Sequence, residues 1–165
     1  MPEIRRIRPS DVDAVVELVY ALATYESAPD ECHLEPRQLH DALFRPSPAL
    51  FGHVATVDDE VVGYALWFLN FSTWRGTHGI YLEDLFVRPE HRRLGLGKAF
   101  LSTLAAECVR QGYPRLEWIV LDSLDSTREF YKSLGAVPLD EWTVFRLTDE
   151  PLHALGSAPI TLRQR

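Results

Sequence analysis

Ile80-Tyr81-Leu82-Glu83-Asp84-Leu85-Phe86-Val87, followed after a short polar link by Arg92-Arg93-Leu94-Gly95-Leu96-Gly97-Lys98, is the stretch on which the fold of this chain turns. The first run is apolar and strand-like. After the glycines, Phe100, Leu101, Leu104, Ala105 and Cys108 recur at helical spacing, which predicts an amphipathic helix from Lys98 to Arg110, ended by Gly112. Between strand and helix, Gly95 and Gly97 let the backbone fold tightly and turn its N–H groups toward an anion, with the positive end of the helix dipole aimed at the same spot. R-x-x-G-x-G is shorter than the G-x-G-x-x-G dinucleotide fingerprint and lacks the G-K-[ST] ending of a P-loop. The cradle therefore suits a phosphate-bearing ligand of another kind.

Working outward, Ile4 to Ile7 reads as a strand, and Ser10 as the N-cap of a helix whose apolar face is Val12, Val15, Val16, Val19 and Leu22. Pro36 suits the first turn of a second helix, through Leu43. Phe51 to Val57 and Val61 to Phe71 form strands about an Asp58-Asp59 hairpin turn. Beyond the glycine turn come a strand at Leu116 to Leu121, a helix capped by Asp125 or Ser126 and stopped by Gly135, and strands at Ala136 to Leu139 and Trp142 to Leu147. Residues 148–165 are left as a tail. The order is one α/β domain of about seven strands and four helices, with antiparallel hairpins before a helical crossover.

The 165 residues carry a formal charge of −7, which argues against sequence-independent nucleic-acid binding and favours a cationic or neutral partner. Cys32 and Cys108 form no zinc or disulfide pattern, and the six histidines show no metal-ligand spacing, so no metal is expected. No leader-like or membrane-spanning apolar run is present, so the expectation is a cytoplasmic protein that does not engage a membrane.

Glu83 and Asp84 are adjacent, so a regular strand would point them to opposite faces, although Tyr81, Leu82, Leu85 and Phe86 make both faces look buried. A buried charge is costly unless a cleft opens there. The sequence therefore predicts a β-bulge or splayed strand pair at Glu83-Asp84, with the cleft at the splay.

Taken together, Leu82 to Val87, the Arg92 to Gly97 turn and Glu129-Phe130-Tyr131-Lys132-Ser133-Leu134-Gly135-Ala136 resemble the GNAT N-acetyltransferase superfamily. Tyr81-Leu82-Glu83-Asp84, Ala23-Thr24-Tyr25-Glu26, Trp74 and Trp142 are similar to its diamine (spermidine/spermine) N-acetyltransferase branch, and the resemblance runs from about Ile4 to Leu147. It implies a mixed, mostly antiparallel twisted sheet with splayed central strands, and acetyl-CoA as donor. The pyrophosphate would be held by backbone from Arg92, Arg93, Leu94, Gly95, Leu96 and Gly97 to Lys98, and the pantetheine arm would pair with Leu85, Phe86 and Val87. It further implies Tyr131 as the acid that protonates the departing thiolate, and a homodimer. Where the family often has Trp-Asn before its last helix this chain has Ser123-Leu124, which leaves that cofactor contact to Asp125, Ser126 or Arg128.

An alkylamine has a pKa of about 10.4 and must lose a proton before it can attack. Glu83 is the candidate base, acting through a water, with Asp84 and Glu26 holding the cation. Tyr25, Trp74 and Trp142 are candidates to line the amine site through their ring faces. The expected reaction is acetyl transfer to a small cationic amine such as a polyamine, diamine or lysine-like amino acid. Another amine, such as an antibiotic or a protein N-terminus, and a non-catalytic acyl-CoA sensor remain open at this point, because fold does not fix function.

Overall fold

The computed structural model describes residues 1–159, which divide into two compact units, the first Met1–Ile119 and the second from Val120 onward. The first holds a sheet of strands β1 (Glu3–Arg6), β2 (Phe51–Val57), β3 (Glu60–Ser72), β4 (Thr77–Val87) and β5 (Leu116–Glu117), in that spatial order. Its helices are α1 (Val12–Tyr25), α2 (Pro36–Phe44) and α3 (Leu96–Gln111). Strands β1 to β4 pair antiparallel, and β5 returns through α3 to lie parallel to β4. The expected mixed, mostly antiparallel α/β architecture is what forms.

One face of the sheet packs Val54, Tyr64, Leu66 and Phe86 against Val12, Val15, Val16 and Leu18 of α1 and Leu39 and Leu43 of α2. On the other face, a Cβ on Gly63 would meet the Phe86 carbonyl at 2.8 Å and the Phe100 ring of α3 at 3.3 Å, so only glycine permits that approach. The Asp58-Asp59 turn forms as read, with φ of 50° and 67° at its two residues.

Several expectations are corrected. Ser10 does not cap α1: it lies in a 3-10 turn, Pro9–Asp11, and Asp11 accepts the Arg8 N–H at 2.7 Å. The same carboxylate takes both Arg5 guanidinium nitrogens, at 2.7 and 2.9 Å, a bidentate pair that joins β1 to the start of α1. Helix α3 starts two residues earlier than read, because Gly95, at φ 75°, serves as its N-cap and Gly97 falls inside the first turn. The predicted strand Leu116 to Leu121 shortens to two residues.

The second unit contains α4 (Asp125–Ser133) and α5 (Asp149–Ser157). Leu124, not Asp125 or Ser126, stands at the N-cap of α4, and Gly135, at φ 90°, follows its end as expected. Ala136 to Leu139 and Trp142 to Leu147 are not strands, and the tail contains α5 instead. Their β-type residues find no ladder to join among the described residues, and a strand pattern becomes a strand only when another strand accepts its hydrogen bonds. Residues 160–165 of the expected tail lie outside the described residues.

Candidate active site

The β3–β4 ladder is regular from the hairpin end until Trp67 pairs with Leu82, and then Leu66 pairs with Asp84. Glu83 is the extra residue of a bulge. Without it Leu82 and Asp84, two apart, would share a face. With it Leu82 stays on the side of Trp67, while Asp84 joins the side of Leu66, Tyr64 and Phe86, the face covered by α1. The expected distortion at Glu83-Asp84 is present. Its effect is to leave Glu83 exposed and Asp84 half-buried.

Burial first, then the negative charges of Glu83 and Glu26, pushes the Asp84 carboxyl up to about 6. Glu26 takes part because α1 ends there: Tyr25 is its last residue and Glu26 its C-cap, with its N–H on the Leu22 carbonyl. Three carboxyl groups thus act on one place from α1 and β4. The Tyr64 phenol on β3 belongs to the same group. It is fully buried, and burial followed by the charges of Asp84 and Glu26 raises it well above the usual range. The sequence reading missed Tyr64, which looks like any core aromatic of an alternating strand; its relation to Asp84 depends on the bulge register.

Alongside the bulge the sheet opens. Strand β4 pairs with β5 at Ile80↔Leu116 and Tyr81↔Glu117, and among the described residues no strand continues that pairing along Leu82 to Val87. The β4 edge at Leu85, Phe86 and Val87 therefore has no β5 partner among the described residues, and such an edge can take an extended ligand that adds its own amides to it.

Directly beyond that edge stands the glycine turn. Among the described residues no side chain caps α3, so the N–H groups of Leu96, Gly97 and Lys98 can face an anion at the positive end of a 16-residue helix. Leu96 anchors the helix through its buried side chain, while Arg93, Leu94 and Lys98 are exposed around it. Arg92 does something else: its Nε donates to the Val87 carbonyl at 3.1 Å, and its guanidinium lies 4.6 Å from the Tyr25 ring and 5.6 Å from the Phe86 ring. It ties the cradle to the end of β4 and to Tyr25.

An edge strand, a bulged carboxylate pair and an uncapped helix start thus follow one another in the first unit. Residues 15–136 match the acetyltransferase (GNAT) family. The chain belongs to that family. It is 32% identical over 164 residues to the thialysine N-epsilon-acetyltransferase of Bos taurus, covering 93% of this chain and 96% of that one. It is 39% identical over 103 residues to the L-ornithine N5-acetyltransferase of Arabidopsis thaliana, covering 62% of this chain and 45% of that one. Among solved structures, an integron cassette protein from the mobile metagenome of V. cholerae superposes with a TM-score of 0.81 at 24% identity, over 95% of this chain and 98% of that one, which speaks for the fold. This GNAT chain is accordingly an acetyl-CoA-dependent N-acetyltransferase.

The remaining candidate residues fall into two groups. Trp74 sits in the turn between β3 and β4, 93% exposed. Ser72, at the edge of that turn, lies six residue steps along β3 from Leu66 at the bulge, about 20 Å at strand spacing. The structure does not bring Trp74 to the carboxylates of its own sheet. In the second unit, Asp125, Ser126 and Arg128 lie in the first turns of α4, and half-buried Tyr131 lies near its end, its hydroxyl pushed up by burial. Trp142 is 73% exposed in an irregular segment.

Proposed function

We propose that this acetyltransferase acts on the primary amine of a small cationic acceptor, a polyamine, a diamine or a lysine-like amino acid. The observation that carries this reading is the convergence of Glu26, Glu83 and Asp84 at the bulge, beside the open β4 edge and the uncapped start of α3. Such a cluster is unfavourable on its own and becomes favourable when a positive charge enters it. The relatives point the same way: their names specify thialysine, ornithine and, in a human spermidine/spermine N(1)-acetyltransferase-like protein 26% identical to this chain, polyamines.

In the proposed reaction Asp84 and Glu26 hold the cation, with the ring of Tyr25 beside them, and Glu83 takes a proton from the ammonium through a water. The freed nitrogen attacks the acetyl carbonyl; a C–N bond forms and the C–S bond breaks. Tyr131 gives its phenolic proton to the departing thiolate, and the second proton that the new amide nitrogen sheds returns through water to the Tyr131 phenolate. The N–H groups of Leu96 to Lys98 and the guanidinium of Arg93 hold the pyrophosphate, while Leu85 to Val87 hold the pantetheine amides. Asp125, Ser126 and Arg128 are proposed as further cofactor contacts, and Trp142 as an acceptor contact. A homodimer is proposed as well, supported by the exposed apolar side chains of Val137, Leu139, Trp142, Val144 and Phe145.

The test is product formation from acetyl-CoA across thialysine, lysine, ornithine, putrescine, spermidine and an aminoglycoside, read by mass spectrometry. Acetylation of the short linear amines is expected. Turnover confined to the aminoglycoside, or CoA binding with no turnover, would overturn the reading.

A further inference from the structure

The Tyr64 hydroxyl is closed off from solvent and makes no ordinary hydrogen bond among the described residues. A buried hydroxyl left in this way is unusual enough to ask what it serves. The bulge answers by register: Tyr64 pairs with Phe86, Leu66 pairs with Asp84, and all four side chains share the face beneath α1, so the phenol lies diagonally across the ladder from the Asp84 carboxyl. The two groups act on one another as donor and acceptor, short of a fully formed bond. Catalytic hydrogen bonds are often loose before substrate enters.

We propose that Tyr64 is a positioning residue of the acceptor site, its buried O–H holding the Asp84 carboxylate ionised and turned to receive the cationic end of the amine. This rests on the acceptor reading above and assigns within it what selects the charged form. The ionisable surroundings are consistent with such a role. On its own strand Asp84 has Glu83; from α1 it has Glu26, while Glu17 of the same helix is 3.9 Å from Arg88; from the loop after α1, Cys32 acts on Tyr64; and Arg92 lies over Tyr25 and Phe86. The phenol is thus a donor that favours the charged carboxylate, set against burial and two negative neighbours that favour the neutral acid. With Asp84 brought to about 6 by that balance, an acid limb belongs in kcat/KM near the same value, where the free enzyme loses its cation anchor.

Tyr64→Phe tests this in the full chain. Loss of the donor should move the acid limb of kcat/KM to higher pH by about one unit, the scale of one hydrogen bond to a charged group, and should raise KM for the amine by more than it lowers kcat. A purely structural role for Tyr64 would lower activity equally at every pH and leave the limb in place. That result overturns the proposal. Titration of carbon-13-labelled aspartate carboxyls by NMR, in the wild type and in Tyr64→Phe, with Asp84→Asn to assign the resonance, gives the same readout without turnover. An Asp84 midpoint that rises in the variant supports the pairing even if no amine proves to be a substrate, and a midpoint that stays put refutes it even if every amine is acetylated.

Discussion

At the level of single residues, burial is used in opposite senses at two titrating side chains. Asp84 is moved up from the ordinary 3.8 to about 6, so the native state binds its proton more tightly than the unfolded chain does, and stability falls as pH rises across that window. His53 on β2 accepts the Trp67 indole N–H at 3.2 Å and is pushed down from 6.5 to about 4 by burial and then by Arg6, so stability rises with pH across its window. The two slopes oppose one another between about 4 and 6. Asp84→Asn should therefore raise the thermal midpoint at neutral pH, by on the order of 2 kcal/mol in stability, with the gain vanishing as pH falls through 4; a midpoint lowered at neutral pH would show that the ionised carboxylate supports the fold. Tyr131→Phe, which removes the proposed acid, is expected to reduce kcat by about 10²-fold or more while the affinity for CoA, measured by calorimetry, stays within a few-fold. Equal turnover in that variant would remove Tyr131 from the mechanism.

At the level of elements, the ends of α1 and α3 carry the proposed site. Helix α1 presents Tyr25 and Glu26 at its C-terminus, and its other end is fixed by the buried pair of Asp11 with Arg5. Asp11→Ala leaves Arg5 without its partner and the Arg8 N–H without an acceptor, and should destabilise the protein by about 2–4 kcal/mol in denaturant titrations. At α3, a Cβ on Gly95 would meet nothing within 4 Å, so Gly95→Ala tests backbone strain alone: about 1 kcal/mol of stability, and a raised KM for acetyl-CoA if the left-handed N-cap sets the anion cradle. Both ends were legible in the sequence to different degrees. Gly95 and the periodicity of Phe100 to Cys108 locate α3, because a left-handed position and an apolar stripe are local properties. The bulge at Glu83-Asp84 was legible too, since two adjacent carboxylates in an apolar strand cannot both be satisfied by regular alternation. The cap of α1 was not, because Asp11 is held by Arg5, from a separate strand, rather than by its own turn. Tyr64 was not either, since its meaning depends on how β3 is registered against β4. The pattern at Trp142 to Leu147 was misleading for the same physical reason, as β propensity has no force without a strand to pair with.

For the whole molecule, the first unit carries, in succession, a β4 edge without a β5 partner among the described residues, a carboxylate cluster and a helix N-terminus, and the second unit carries a run of exposed apolar residues that includes Phe145, 92% exposed. Single exposed apolar residues are ordinary, but five within Val137 to Phe145 suit burial against a second copy. Sedimentation velocity should give twice the mass of one chain, and Val144→Asp with Phe145→Asp should reduce it to one; a wild-type monomer at micromolar concentration would count against the homodimer. Carboxylates at the bulge of β4 are proposed to select a cationic acceptor for acetyl transfer. The most direct test of that selection compares kcat/KM for a linear diamine with that for the monoamine of equal length that lacks the second charge, in the wild type and in Asp84→Asn. A preference for the diamine of about 10-fold to 100-fold, the scale of one charge-assisted contact, that collapses in the variant is the predicted result; equal kcat/KM for the two amines in the wild type, or a preference that survives the loss of Asp84, would contradict it.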